Sequence, residues 1–161
     1  MSDNDILPLD LPTETNSIIK VIGVGGGGGN AVKNMYRTGI RDVSFVLCNT
    51  DNQALAKSDI PVKLQIGRET TKGLGAGNDP EVARQAAEEN VEDIRAQFDD
   101  STEMVFITAG MGGGTGTGAA PVVAREAKRA GMLTIGVVTI PFKFEQRPKI
   151  EQALRGVEAI S

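Results

Sequence analysis

Short, wholly apolar runs alternate along this chain with longer stretches in which apolar residues recur every three or four positions. That alternation predicts strands and helices in turn. Strands are predicted over 20–24 (Lys-Val-Ile-Gly-Val), 44–49 (Ser-Phe-Val-Leu-Cys-Asn), 104–109 and 133–140. The last three are continuous apolar runs, as strands buried on both faces require. Val62-Lys63-Leu64-Gln65-Ile66 alternates instead, which suits a strand near the sheet edge. Helices are predicted over 30–38, stopped by Gly39, over 52–57 behind an Asp51 cap, and over 117–130, ending at Gly131. Asn78-Asp79-Pro80 reads as a cap and first-turn proline opening one long helix with Val82, Ala86, Val91, Ile94 and Phe98 on one face. A closing helix begins near Pro148. The pattern is that of an α/β doubly wound, mostly parallel sheet with helices on both faces, a Rossmann-like arrangement.

Glycine changes the picture most. Of 20 glycines, 14 fall in three clusters, Gly23 to Gly29, Gly73 to Gly77 and Gly112 to Gly118, so glycine here is positional. The first and third clusters lie between an apolar strand and a helix. A bare backbone at such a turn lets consecutive N–H groups approach a phosphate, favoured by the helix dipole. Both flanks are apolar and periodic, unlike those of a flexible linker. Two such turns in one small domain point to a nucleotide with several phosphates. In a doubly wound sheet both would open at the C-terminal ends of the strands, together with the Asn49-Thr50-Asp51 turn.

Composition removes other classes of chemistry. The 161 residues suit one domain, 17–161, behind a polar, acidic stretch (1–16, with Pro8 and Pro12) expected to be a disordered tail. Those first residues carry no signal-peptide pattern, and no run is long enough for direct membrane insertion. The net charge of −4 gives no support to a nucleic-acid partner. The chain has no histidine and one cysteine, which excludes a histidine acid–base site, a His or Cys-cluster metal site and an internal disulfide. Cys48 reads as a small buried hydrophobe.

Two nucleotide classes remain open from the residues. The P-loop pattern with its lysine is missing, because Lys33 lies three residues beyond Asn30. Gly23, Gly25 and Gly28 satisfy the dinucleotide pattern, with Asp51 placed to hold a ribose, so an NAD(P)-binding oxidoreductase is a rival. It leaves the cluster at Gly112–Gly118 unexplained. Asn49 and Asp51 serve equally well as a turn residue and a helix cap.

Gly112-Gly113-Gly114-Thr115-Gly116-Thr117-Gly118 resembles the phosphate loop of the tubulin/FtsZ family. Lys20 through Asn30, Asn49-Thr50-Asp51, Lys72-Gly73-Leu74-Gly75-Ala76-Gly77, Met111 and Pro141-Phe142-x-Phe144-Glu145 resemble further family loops in matching order, so the likeness runs from about residue 18 to 161. It implies a GTP-binding subunit of a head-to-tail cell-division filament in the bacterial cytoplasm, working with other division proteins at the division site. It also implies roles. Gly26, Gly27, Gly28, Gly29 and Asn30 would wrap the inner phosphates. Gly114, Thr115 and Gly116 would hold the outer ones, with Gly112, Gly113 and Thr117 also in the nucleotide-binding set. Ala76, Gly77 and Asn78 would close over the γ-phosphate, and Asn49 and Asp51 would lie near the pocket. Glu145 would contact the ribose, with Lys149, where the family often has arginine, beside it; Arg147 is an alternative partner. GTP or GDP would bind with Mg²⁺ held mainly by phosphate and water. In the family, GTP is hydrolysed between adjacent subunits. The guanine-gripping central helix and the water-activating acidic loop lie beyond residue 161, so the resemblance assigns no catalytic residue here. It implies a chain that binds nucleotide weakly and does not turn it over alone. A fragment of that kind could also cap filaments and interfere with assembly.

Overall fold

The computed structural model describes residues 17–161; the expected tail at 1–16 lies outside them. Five parallel strands form one sheet in the order β3-β2-β1-β4-β5, built from β1 (Ile19–Val24), β2 (Ser44–Asn49), β3 (Val62–Gln65), β4 (Met104–Gly110) and β5 (Leu133–Thr139). The helices are α1 (Gly25–Thr38), α2 (Asn52–Ala56), α3 (Arg68–Thr71), α4 (Pro80–Glu89), α5 (Val91–Arg95), α6 (Thr115–Arg129) and α7 (Arg147–Ile160). The period-two alternation of the strands sends side chains to two cores. Val21, Phe45 and Leu47 pack with Val32 of α1 and Leu55 of α2. Ile22, Val24, Val46, Val105 and Ile107 pack with Ala87, Ile94, Ala119 and Val123 from α4, α5 and α6. The sheet is therefore doubly wound, with its switch in strand order between β1 and β4.

Three predicted elements change. The first helix begins at Gly25, five residues early, because the glycines form its opening turns. The long helix breaks into α4 and α5 at Asn90 (φ −110°, ψ 27°), where Asn90 Oδ1 accepts the Gly67 N–H at 2.8 Å and its Nδ2 donates to Asp93. The strand at 133–140 is not buried: it is the sheet edge, with Leu133 56% and Val137 55% exposed. Periodicity reports apolarity but not lateral position in the sheet. The edge expected for 62–66 is observed, as β3.

Close backbone approaches set the layers. A Cβ on Gly28 would lie 2.2 Å from the Thr108 carbonyl oxygen, so α1 rests directly on β4. A Cβ on Gly118 would lie 1.9 Å from the Pro80 carbonyl oxygen, so α4 and α6 touch backbone to backbone. Their far ends are clamped by charge. The fully buried Glu126 carboxylate accepts from Arg95 (2.7 Å), Arg125 (3.0 Å) and Arg129 (3.1 Å), and Arg125 also forks onto Glu88 (2.6 and 2.9 Å). Burial alone would raise the Glu126 carboxyl, but the Arg95 and Arg125 hydrogen bonds outweigh it and hold it below its ordinary range. The Arg125 hydrogen bonds likewise lower Glu88.

Gly28→Ala is expected to cost about 3 kcal/mol, since helix and sheet must part to admit the methyl. Gly26→Ala, whose Cβ would meet nothing within 4 Å, should leave stability unchanged or raise it by up to about 1 kcal/mol. Urea unfolding of both checks this, and equal effects would contradict the packing. Glu126→Gln should cost about 2–3 kcal/mol by leaving arginines facing a neutral amide. Because the folded carboxyls of Glu88 and Glu126 titrate below their ordinary 4.5, their stabilisation is complete above that value and is lost as the pH falls below it. Acid unfolding should therefore shift to higher pH in Glu126→Gln; an unchanged acid midpoint would contradict the clamp.

Candidate functional site

The N-termini of α1 and α6 meet at the C-terminal ends of β1 and β4. A Cβ on Gly25 (φ +75°) would lie 2.9 Å from the Gly116 nitrogen and 3.3 Å from Thr115 Cβ. Neither helix has a side-chain cap or an acidic residue in its first turn. Two neighbouring helices, α2 and α4, differ. Asp51 Oδ1 accepts the Gln53 and Ala54 N–H groups of α2 (2.9 and 3.2 Å), and Asp79 Oδ1 accepts the Glu81 N–H of α4 (2.9 Å). The first turns of α1 and α6 therefore present amides that no side chain caps, at two positive dipole ends pointing at one place. That arrangement suits a multiply charged anion.

The helix bounds redistribute the predicted phosphate contacts. Starting at Gly25, α1 leaves the amides of Gly25, Gly26 and Gly27 outside its ladder, whereas those of Gly28, Gly29 and Asn30 enter it. Gly28 is buried against β4, while Gly29, Asn30 and Lys33 line a pocket of about 110 Å³ with Gly25, Gly26 and Asn49. On α6 the amides of Thr115, Gly116 and Thr117 are first-turn donors, followed by the Gly118 N–H bonding to Gly114 O at 3.0 Å. The Thr115 hydroxyl lies 2.8 Å from that of Thr50. The Thr117 hydroxyl is turned underneath, where it accepts the buried Gly112 N–H at 2.8 Å, so its side chain supports the loop from below.

The second loop lies across this site. Gly77 (φ +60°) and Asn78 (φ +61°) make consecutive left-handed turns, closed by the Asp79 N–H on Ala76 O at 3.1 Å. A Cβ on Gly114 would lie 2.9 Å from Asp79 N and 3.0 Å from Asn78 Cα, which places the loops in contact. Asn49 Oδ1 accepts the Thr50 and Asp51 N–H groups (2.8 and 3.2 Å). Asn49 and Asp51 are thus observed as turn former and helix cap. With its carboxylate engaged by α2, Asp51 is not free to hold a ribose, which weakens the dinucleotide alternative.

Glu145 and Lys149 pair with each other: Lys149 Nζ donates to Glu145 Oε2 at 2.5 Å, and the Phe142 N–H donates to Oε1 at 3.1 Å. The Lys149 hydrogen bond, and then the Phe142 amide, hold the Glu145 carboxyl below its ordinary range. The stem of Lys149 borders the loop, 3.1 Å from where a Gly112 Cβ would stand. Arg147 turns instead to Glu151, at 3.6 Å. Sequence reasoning missed Gln152, whose Nε2 donates to Asn78 O, Gly112 O and Gly113 O. A glutamine on an amphipathic helix carries no signal of such contacts. A larger groove, about 850 Å³, lies between α4, α6 and α7 behind the loops, but paired side chains such as Glu88–Arg125 line it rather than a row of free amides.

A doubly wound sheet with two glycine-rich helix starts at its switch point is the architecture of a nucleotide-binding domain. Residues 18–161 match the model of the Tubulin/FtsZ family, GTPase domain, and the chain belongs to that family. It is 68% identical over 142 residues to the cell division protein FtsZ of Porphyromonas gingivalis, covering 88% of this chain and 31% of that one. It is 57% identical over 145 residues to the cell division protein FtsZ of Coxiella burnetii, covering 90% and 37%. The chain thus spans about a third of the length of these curated relatives. Among solved structures it resembles an empty FtsZ dimer of M. jannaschii (TM-score 0.86, 44% identity, 92% of this chain and 43% of that one). It also resembles CetZ2 of Haloferax volcanii, described as a GTPγS-bound protofilament (TM-score 0.79, 26% identity, 88% and 45%).

Cys48, at the C-terminal end of β2, is buried, and burial pushes its thiol up to about 12. A thiol reagent at pH 8 should leave the native protein unlabelled and label it only on unfolding. Rapid native labelling would show that this edge of the pocket opens.

Proposed function

We propose that this chain is the GTP-binding part of a self-assembling cell-division subunit. The observation that carries the reading is the meeting of two uncapped helix N-termini, α1 and α6, which suits a polyanion between them. The amides of Gly25, Gly26 and Gly27 take the inner phosphates. Gly113, Gly114, Thr115 and Gly116 take the outer ones, with the Thr115 hydroxyl adding a donor. Ala76, Gly77 and Asn78, held against Gly114, lie over the γ-phosphate and distinguish GTP from GDP. Asn30 and Asn49 line the pocket beside the inner phosphates, and Glu145 reaches the ribose after yielding Lys149, whose stem borders the same loop. A Mg²⁺ ion fits this donor set without a protein cage, because Mg²⁺ retains water and binds phosphate oxygens. When bound it neutralises phosphate charge.

Among the described residues no cluster of His, Cys, Asp and Glu is suited to hold a metal, and the carboxylates nearest the loops, Asp51, Asp79 and Glu145, are engaged as caps or ion pair. None is therefore free to activate water. Hydrolysis in this reading occurs between head-to-tail subunits, with the activating group supplied by the neighbour, so this chain alone binds without turnover. Membership of the family supports that assembly, as do the dimer and protofilament among the similar solved structures. The setting is the bacterial cytoplasm at the division site, alongside other division proteins; no helix among the described residues is long and apolar enough to cross a membrane.

Fluorescent GTP should bind the protein and be displaced by GTP and GDP but not by ATP or NAD. Gly26→Ala, which spares the fold, should weaken binding at least tenfold by placing a methyl in the path of the phosphates. Displacement by NAD, or full affinity in Gly26→Ala, would overturn the reading.

A further inference from the structure

Gln152, one turn into α7, holds the backs of both outer loops with one atom. Its Nε2 lies 2.9 Å from Gly113 O, 3.1 Å from Gly112 O and 3.2 Å from Asn78 O. An amide NH₂ has two protons, so three carbonyls share two donors and must all point towards α7. In a planar trans peptide the C=O and the following N–H point in opposite directions. With the Gly112 and Gly113 carbonyls facing α7, the N–H groups of Gly113 and Gly114 are aimed away from it. Among the described residues neither donates to a main-chain acceptor outside a helix or strand. The third contact fixes the peptide whose N–H, on Asp79, closes the Ala76–Asp79 turn.

We propose that Gln152 is a positioning residue for the outermost phosphate: it orients the peptide planes of 112–114 and ties them to the 76–79 loop, so that the two loops present one preset surface. This rests on the reading of the site as a GTP pocket. The role is separable from docking of α7, which has its own anchors. Ala153 is 1% exposed, and a Cβ on Gly156 would lie 2.7 Å from both Met111 Sδ and Thr117 Cγ2. Without the Gln152 amide the helix stays docked, but the loop peptides are free to rotate.

The test measures GTPγS and GDP affinities of the full chain and of Gln152→Met, which keeps the length of the side chain but has no donors. Gln152→Glu, which turns a carboxylate towards three carbonyls, serves as a second variant. GTPγS affinity should fall about tenfold in Gln152→Met and further in Gln152→Glu, with GDP affinity within about twofold of the parent and an unchanged Tm for Gln152→Met. Equal losses for both nucleotides with a lowered Tm would show a merely structural residue and overturn the proposal, as would an unchanged GTPγS/GDP ratio. A parent chain that binds neither nucleotide would overturn the GTP reading itself, before any variant is compared.

Discussion

Two helix N-termini pressed together without caps are the constraint on which the rest of this structure depends. Each carries roughly half a positive charge. Here α1 and α6 approach until a Cβ on Gly25 would lie 2.9 Å from Gly116 N. Of the other helices that start beside the site, α2 and α4 are capped by Asp51 and Asp79, whereas α7 starts without a side-chain cap. Leaving α1 and α6 bare concentrates unsatisfied donors at the switch between β1 and β4. The glycines follow from that geometry, since side chains at Gly28 or Gly116 would collide with the carbonyls of Thr108 or Gly110.

In the proposed function, a site made of amides lets an acidic chain, net charge −4, hold phosphate without a basic field. Amide direction is fixed by the backbone, so affinity depends on the loops keeping their frame. Two structural devices maintain it. Gly118 lets α4 touch α6, and the Glu126 and Arg125 network locks their far ends. The loop before α4 and the loop before α6 are consequently carried on one rigid pair of helices. From the other side, α7 reaches both through Gln152.

Much of this was legible in the sequence. The apolar and alternating runs located every strand, the interval 44–49 matched β2 end for end, and Asp79-Pro80 marked the start of α4. The first and third glycine clusters marked the starts of α1 and α6. What escaped had physical reasons. Glycine reads as loop, so the opening turns of α1 were hidden, and with them the packing of Gly28 against β4. The break at Asn90 depends on its side chain capturing the N–H of Gly67, 23 positions earlier, which no local pattern carries. The exposure of β5 depends on strand order, and the pairing of Glu145 with Lys149 on a competition between partners that spacing cannot resolve.

The central claim is that both helix starts serve the phosphate chain of one nucleotide, and backbone amide NMR during nucleotide titration tests it most directly. The account predicts that the amides of Gly26 and Gly27 in α1 and those of Thr115 and Gly116 in α6 shift together and saturate at one equivalent of nucleotide. Shifts confined to one helix start, or two sets saturating at different concentrations, would contradict it.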